Sequence, residues 1–303
     1  MTLEASRGVL ACPHCREPVE PDGRRWLCPS GHSFDVAKQG YLNLADGPEP
    51  ANADTAAMLD ARARVQASGL FDVVTDALDE VVPASAQRLL EVGAGTGHYL
   101  AGLLNSRPDA RGIALDVSRA AARRAARAHP AAASVVADVW RGLPIRTGAM
   151  DVLLCIFAPR NPAEFARVLA PGGLLVVATP APDHLAGLRS HYGLLGLEED
   201  KQTKLIASLA DRFHLDRSLT VRTGSILEPP LVDDLIGMGP NAHHSPPRAT
   251  RAEHVEIAVE VTAFTARRRQ LELDDLTSLV DELEAEGGPV DDATVATYAE
   301  EMR

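Results

Sequence analysis

No stretch of the 303-residue chain approaches the ~20 consecutive apolar residues that a membrane span needs. The N-terminal run MTLEASRGVLACPHC has no apolar signal core. A cytoplasmic protein with no membrane partner is the expectation. Internal repeats are absent, which excludes solenoids and propellers. Cysteine is scarce: Cys12, Cys15, Cys28 and Cys155 are the only four, and three of them fall within the first 30 residues. That distribution favours metal binding in a reducing compartment over a disulfide framework. Cys155 lies in the apolar run 152–157 and reads as a buried, inert thiol.

Basic residues are nearly missing from the C-terminal tail. Residues 270–303 hold eleven Asp and Glu and one base, Arg303, and so account for most of the net charge of −12. The rest of the chain, with 29 bases and 31 acids, is close to neutral. The total charge therefore does not exclude RNA, although nothing points to DNA. Arg-rich patches at 62–64, 119–127 and 267–269 read, on charge alone, as solvated helix or strand-end faces.

Four segments follow from composition. Residues 1–45 are short, Gly- and Pro-punctuated and Cys/His-bearing. Residues 46–86 begin with a linker (DGPEPANAD) and continue into two helices, 55–66 and 71–82, the second ending before Pro83. Residues 87–269 alternate strand and helix: strands at 87–92, 112–115, 134–137, 150–157 and 173–179, helices at 98–105, 118–129 and 162–169. Beyond 180 the pattern is less regular, with a helix over 201–213 and strands over 218–224 and 255–266. Residues 270–303 form an acidic extension with two helices split by Gly287-Gly288-Pro289. Regular β-α alternation implies α/β architecture, a parallel sheet covered on both faces, with ligands at the carboxyl ends of the strands.

The spacing Cys12-x2-Cys15-x12-Cys28-x3-His32 offers two ligand pairs on two turns. Zinc takes four such ligands in a tetrahedron, and a closed set of four protein ligands makes a structural rather than a catalytic site. A segment this small has too little core to fold without such a staple. His14, between the first two cysteines, is the local rival ligand; a redox Cys-x-x-Cys is the competing reading.

Glu91-x-Gly93-x-Gly95-Thr96-Gly97 follows a strand and opens a helix. Its glycines let backbone approach a ligand closely. A dinucleotide fingerprint places its third glycine at the sixth position; here that place is His98 and the third glycine stands at the fifth. Asp116 ends the next strand, placed for ribose hydroxyls, and Asp138 ends the third, placed for an adenine edge. Glycines and acids together resemble the motifs of Rossmann-like, seven-stranded methyltransferases that use S-adenosylmethionine. A plain structural turn is the alternative.

Further motifs sharpen the resemblance. They are Phe34-Asp35-x-Ala37-Lys38-x-Gly40-Tyr41-x-Asn43-Leu44, Met58-x2-Ala61-Arg62, Leu115-Asp116-x-Ser118, Phe157-Ala158-Pro159, Arg167-Val168-Leu169-x-Pro171-Gly172-Gly173 and Thr179-Pro180-x3-His184-Leu185. Over about residues 10–268 the set resembles the RlmA family, which methylates N1 of a guanine in 23S ribosomal RNA. Ala137-Asp138-Val139-Trp140 and Phe157-Ala158-Pro159-Arg160-Asn161 resemble its Gram-positive branch, which includes a tylosin-resistance methyltransferase. The resemblance implies S-adenosylmethionine and structural zinc as cofactors. It also implies a 23S rRNA hairpin near the peptide exit tunnel as partner, and macrolide resistance as a possible outcome. Oligomeric state, a homodimer included, stays open. His243 stands where the resemblance places an aromatic after Met238-Gly239-Pro240, and the acidic tail has no counterpart in it.

Carried onto this sequence, the resemblance gives candidate roles. Phe71 covers the methionine end of the cofactor, or packs in the core. Phe157 stacks on the target base. Arg160 and Asn161 contact guanine O6 or phosphate, or else cap a helix. His184 closes over the cofactor or relays a proton, or else starts a surface helix. A small-molecule methyltransferase would share the whole core and remains the alternative.

Overall fold

The computed structural model describes residues 2–196, 200–244 and 248–267, and for Thr2, His243 and His244 the backbone only. His243's side chain and the two helices expected in 270–303 lie outside the described residues.

The N-terminal module is a three-stranded antiparallel sheet of β1 (Glu20–Asp22), β2 (Arg25–Leu27) and β3 (Ser33–Asp35). Its strands are three residues long, and Val19 and Trp26 supply a small apolar centre. β4 (Leu42–Asn43) leaves the module and joins the main sheet.

After the 46–54 linker, α1 (Ala56–Ala67) starts where Thr55 Oγ1 accepts the Met58 N–H at 3.3 Å. α2 (Asp72–Val81) follows. The alternating core then runs β5 (Arg88–Val92), α3 (His98–Asn105), β6 (Arg111–Asp116), α4 (Arg119–Ala125), β7 (Ala132–Val136), β8 (Met150–Ile156), α5 (Pro162–Val168) and β9 (Leu169–Pro180). It closes with α6 (Ala186–Tyr192), α7 (Lys201–Leu209), β10 (Phe213–Leu227), α8 (Pro229–Gly237) and β11 (Glu253–Ala266). Ser118 caps α4 through its hydroxyl, which accepts the Ala121 N–H at 3.2 Å.

The sheet has eight strands in the order β10-β11-β9-β8-β5-β6-β7-β4. From β9 through β7 the strands are parallel, and β11 runs antiparallel between β9 and β10. Seven strands make the expected Rossmann-like core. The eighth, β4, is contributed by the N-terminal module and pairs in parallel with β7, Leu42 opposite Val135. The strand order reverses between β5 and β8, so their carboxyl ends open a crevice there.

One apolar cluster runs from Leu10, Val19 and Trp26 of the module through Leu143 and Ile145 to Phe165 of α5. The module is therefore packed on the sheet's core rather than tethered beside it. The structure adds α6 and α8, which the sequence pattern left as irregular chain. α8 opens on Pro229-Pro230, which suits a first turn and buries Val232, Leu235 and Ile236. β10 is longer than expected: its burial alternates over 218–224, and mostly exposed residues, Leu215 and Ile226 among them, extend it in both directions.

Candidate active site

Gly93, Gly95 and Gly97 adopt φ of 69°, 55° and 79°. A Cβ on Gly93 would meet that of Ala158 at 2.5 Å, and one on Gly97 would meet Ala128 at 2.9 Å. Glycine is thus required for a backbone pressed between the ends of β5 and β8. Asp116, buried at the end of β6, ties the turn down. Its Oδ2 accepts the Gly95 N–H and its Oδ1 the Ser118 N–H, each at 2.8 Å. Burial pushes its carboxyl up, against those two N–H bonds, and the Asp54 charge adds to the rise. Thr96 Oγ1 donates to Gln66 Oε1 of α1 at 2.7 Å.

Glu91 lies below the turn, fully buried, its Oε2 accepting the Leu100 N–H at 3.1 Å. Burial raises its carboxyl to about 8, opposed by that N–H and reinforced by Asp116. The folded protein therefore keeps a proton on Glu91 that the unfolded chain releases above the ordinary carboxylate range. Stability from this group is full at acid pH and declines as pH rises toward 8. Glu91→Gln, which is uncharged at every pH, is expected to flatten that decline. Melting temperatures of both proteins between pH 5 and 8 check it, and parallel curves would contradict it.

Phe71, Phe157 and His184 come together from three separate parts of the chain. The Phe71 and Phe157 rings meet edge-on with centroids 6.3 Å apart, and His184 lies 6.5 Å from Phe71 and 6.4 Å from Phe157. Phe71 is buried. Phe157, just past β8, is 42% exposed and adopts φ of 53°, in the left-handed region that a bulky residue rarely occupies. Ala258 of β11 meets His184 Nδ1 with both its N–H (3.3 Å) and its carbonyl (2.9 Å), so either tautomer is partnered. Nε2 has no hydrogen-bond partner among the described residues. Burial lowers this imidazole to about 4, and it is neutral at physiological pH.

The remaining predicted residues divide. Asp138 caps the short 3-10 turn Val139–Arg141, accepting the Trp140 N–H at 2.9 Å. Asn161 caps α5 with Oδ1 and donates from Nδ2 to the Val139 carbonyl at 2.9 Å, so both ends of its amide are engaged. Arg160 is half-buried and has no ion-pair partner among the described residues. Cys155 is buried, pushed up to about 12 by burial, and inert as expected.

In the N-terminal module the ligand atoms of Cys12, Cys15, Cys28 and His32 all lie within 4.8 Å of one another. Gly31, at φ of 85°, makes the second turn, and the Cys28 and His32 backbones bond across it. Glu17 braces the rim by accepting from Ser30 Oγ at 2.5 Å and Cys15 Sγ at 3.3 Å. His14 is outside this set; its ring stacks on Phe34. Three thiols and an imidazole converging without a disulfide are a donor set suited to tetrahedral zinc.

Arg62 was quoted in a motif but given no role by sequence reasoning. Its Nη1 bonds Asp54 Oδ2 at 2.5 Å and its Nη2 the Met238 carbonyl at 2.7 Å. A Cβ on Gly95 would lie 2.7 Å from Nη1, so this guanidinium covers the glycine turn. No local signal separates it from Arg64, two positions on, which pairs with Asp234 at the surface.

An intact glycine turn at the switch point of the β10-β11-β9-β8-β5-β6-β7 sheet, with an acid ending β6, defines a Rossmann-like S-adenosylmethionine-dependent methyltransferase. Residues 89–173 match the methyltransferase domain model, and residues 10–45 match the RlmA N-terminal zinc-ribbon model. The chain is 43% identical over 243 residues to the 23S rRNA (guanine(748)-N(1))-methyltransferase of Streptomyces fradiae, covering 78% of this chain and 87% of that one. It is 39% identical over 280 residues to a Micromonospora griseorubida protein provisionally named as a 23S rRNA (guanine-N1) methyltransferase, covering 86% of this chain and 95% of that one. A Bacillus subtilis protein, YxjB, similarly named, is 30% identical across 78% of this chain and 88% of its own. The chain belongs to the RlmA family of methyltransferases and carries that family's zinc ribbon. Among the described residues, no helix is long and apolar enough to cross a membrane.

Proposed function

We propose that this enzyme methylates N1 of a guanine in a hairpin of 23S rRNA, in the cytoplasm, and that the modification protects the ribosome from tylosin-type macrolides. The observation that carries the reading is Phe157, an exposed aromatic held at positive φ directly beside the cofactor turn. Such a ring suits an unstacked base better than a small aliphatic substrate. The relatives' named activity supplies the particular base. We further propose that residues 1–45 form the zinc-binding unit, 46–86 the lead-in, 87–269 the catalytic domain and 270–303 an accessory acidic extension.

Gly93, Gly95, Thr96 and Gly97 would hold the amino-acid part of S-adenosylmethionine, Asp116 its ribose and Asp138 its adenine edge, with Glu91 supporting the turn from below. The cradle fits: a Cβ at Gly93 or Gly95 would collide with Ala158 or Arg62. Arg62, over Gly95 and paired with Asp54, would offer a cation to the cofactor's carboxylate. When bound, the cofactor supplies an electrophilic methyl group on a sulfonium. Cys12, Cys15, Cys28 and His32 would hold the structural zinc.

The protein's part is mainly positioning and charge stabilisation. Phe157 faces the base and Phe71 closes the inner wall, which orders the acceptor and excludes water. Guanine N1 carries a proton at neutral pH; that proton passes to solvent at the open rim beside the exposed Phe157, and negative charge develops toward O6 as it leaves. Arg160, unpaired and half-buried, offers the guanidinium to meet it. His184, neutral and weakly basic, contributes a hydrogen bond from Nε2 and orients the base edge; it is too weak a base to hold the departing proton.

N1-methylguanine cannot form a Watson–Crick pair. Reverse transcription of 23S rRNA from cells carrying the gene is expected to stop one nucleotide before the modified guanine, and to read through in cells without it. Transfer in vitro into a hairpin-containing fragment should weaken steeply with salt, because phosphate contacts dominate RNA affinity. Read-through in both strains, with no label accepted by RNA in vitro, would favour the small-molecule alternative.

A further inference from the structure

Among the described residues, two aromatic side chains are exposed, and both stand on the carboxyl edge of the sheet. Phe157 is accounted for above. The other is Trp140, 65% exposed, in the 3-10 turn Val139–Arg141 beyond β7. Leaving an indole in water forgoes its burial, the largest available to any side chain. The exposure is not the result of a slack loop. The Trp140 N–H donates to Asp138 Oδ1 at 2.9 Å, and the Val139 carbonyl accepts from Asn161 Nδ2 at 2.9 Å. Arg141 Nη1 donates to the Asp46 carbonyl at 2.5 Å, and the Leu143 N–H to Glu164 Oε2 at 2.6 Å. Arg16, one residue past Cys15, reaches the Leu143 carbonyl at 3.1 Å. The turn carrying Trp140 is thus anchored by the zinc module, the linker and the start of α5 together.

Arginines gather on this turn and its anchors, in a chain that is close to neutral outside its acidic tail. Arg16 and Arg141 are exposed on either side of the turn, and Arg160 adjoins Asn161, whose amide anchors Val139. Asp138 faces Arg141 at 3.7 Å, Glu164 is bonded to Arg167 at 2.7 Å, and Asp46 and Glu49 line one surface depression with Arg141. A flat ring on an anchored turn, with exposed guanidinium groups on the same segment and its anchors, suits a nucleobase with its phosphates: any base can stack on it, and arginines neutralise the adjoining backbone.

We propose that Trp140 is a stacking platform for a nucleotide flanking the target guanine, with Arg141 and Arg160 meeting the neighbouring phosphates. The RNA then runs from the zinc ribbon across Trp140 to Phe157. This rests on the RNA reading above and adds the path by which RNA reaches the site. It also gives Asn161 a function, as the residue that positions the platform by capping α5 and holding Val139 at once.

The test is labelled methyl transfer into a hairpin-containing 23S fragment by the full-length wild type, Trp140→Ala and Trp140→Phe, with cofactor affinity measured alongside by calorimetry. Trp140→Ala is expected to raise the RNA KM about tenfold or more, as the loss of one stacked base does. Cofactor affinity and the melting temperature should hold, because the indole is largely in solvent. Trp140→Phe should keep most of the RNA affinity. An active wild type with an unchanged RNA KM in Trp140→Ala overturns the platform alone, as does a fall in cofactor affinity, which would set the indole against the cofactor. Loss of self-association with unchanged RNA KM would overturn it too and assign the ring to a second copy of the chain. A wild type that labels no RNA overturns both this inference and the RNA reading.

Discussion

Asp116→Ala is expected to weaken S-adenosylmethionine binding by roughly 1–3 kcal/mol in all, about five- to 150-fold, through lost charge-assisted hydrogen bonds. The carboxylate has two tasks in the structure. It accepts the Gly95 and Ser118 N–H groups, and so holds the glycine turn at the geometry its positive φ values describe. It is also the acid facing the crevice at the end of β6, where the ribose is proposed to sit. Alanine removes both tasks and leaves two buried N–H groups without an acceptor. Asp116→Asn separates them, because its amide oxygen still accepts one N–H while its charge is gone. Calorimetry on the three proteins should rank them wild type, Asn, Ala. Equal affinities would show that the ribose is not held at the end of the second core strand.

The second large effect concerns zinc. One zinc per chain is expected in protein never exposed to chelator, and Cys28→Ser is expected to lose it. Metal binding in small zinc modules carries about 10–16 kcal/mol of apparent folding free energy. Strands of three residues around Trp26 and Val19 have little else to hold them. The damage should not stop at the module. Leu10 and Trp26 share a core with Leu143 and Phe165, β4 pairs with β7, and Arg16 props the turn carrying Trp140. Cys28→Ser should therefore melt at a lower temperature and lose RNA methylation by about a hundredfold or more. It should keep part of its cofactor affinity, since the glycine turn is held by β5, β6 and α1 instead. A zinc-free protein with unchanged melting and activity would refute a structural role for the metal.

Much of the site could be read locally. Cys12, Cys15, Cys28 and His32 were legible because tetrahedral coordination from two turns imposes a spacing on the chain. The glycines and Asp116 were legible because a tight strand-to-helix turn restricts which residues fit. Thr55, taken from the sequence as the first residue of its helix, is instead the cap before it, because a helix start needs a side-chain acceptor. α6 and α8 were not legible, because the partners that hold them, β11 and α1, come from distant sequence.

What the sequence by itself determined, then, is the architecture and the two cofactors: period and spacing are local properties, and β-α alternation, ligand pairs and a glycine turn all declare themselves along the chain. Tertiary structure alone decided which side chains meet. It joined Phe71, Phe157 and His184, laid Arg62 over Gly95, made β4 the eighth strand and left Trp140 facing solvent on an anchored turn. Those relations depend on strand order, and strand order brings together residues from 27 (Phe157 and His184) to 113 (Phe71 and His184) positions apart in the chain. No window of sequence contains that information, because the forces that set it act only once the sheet has closed around its core.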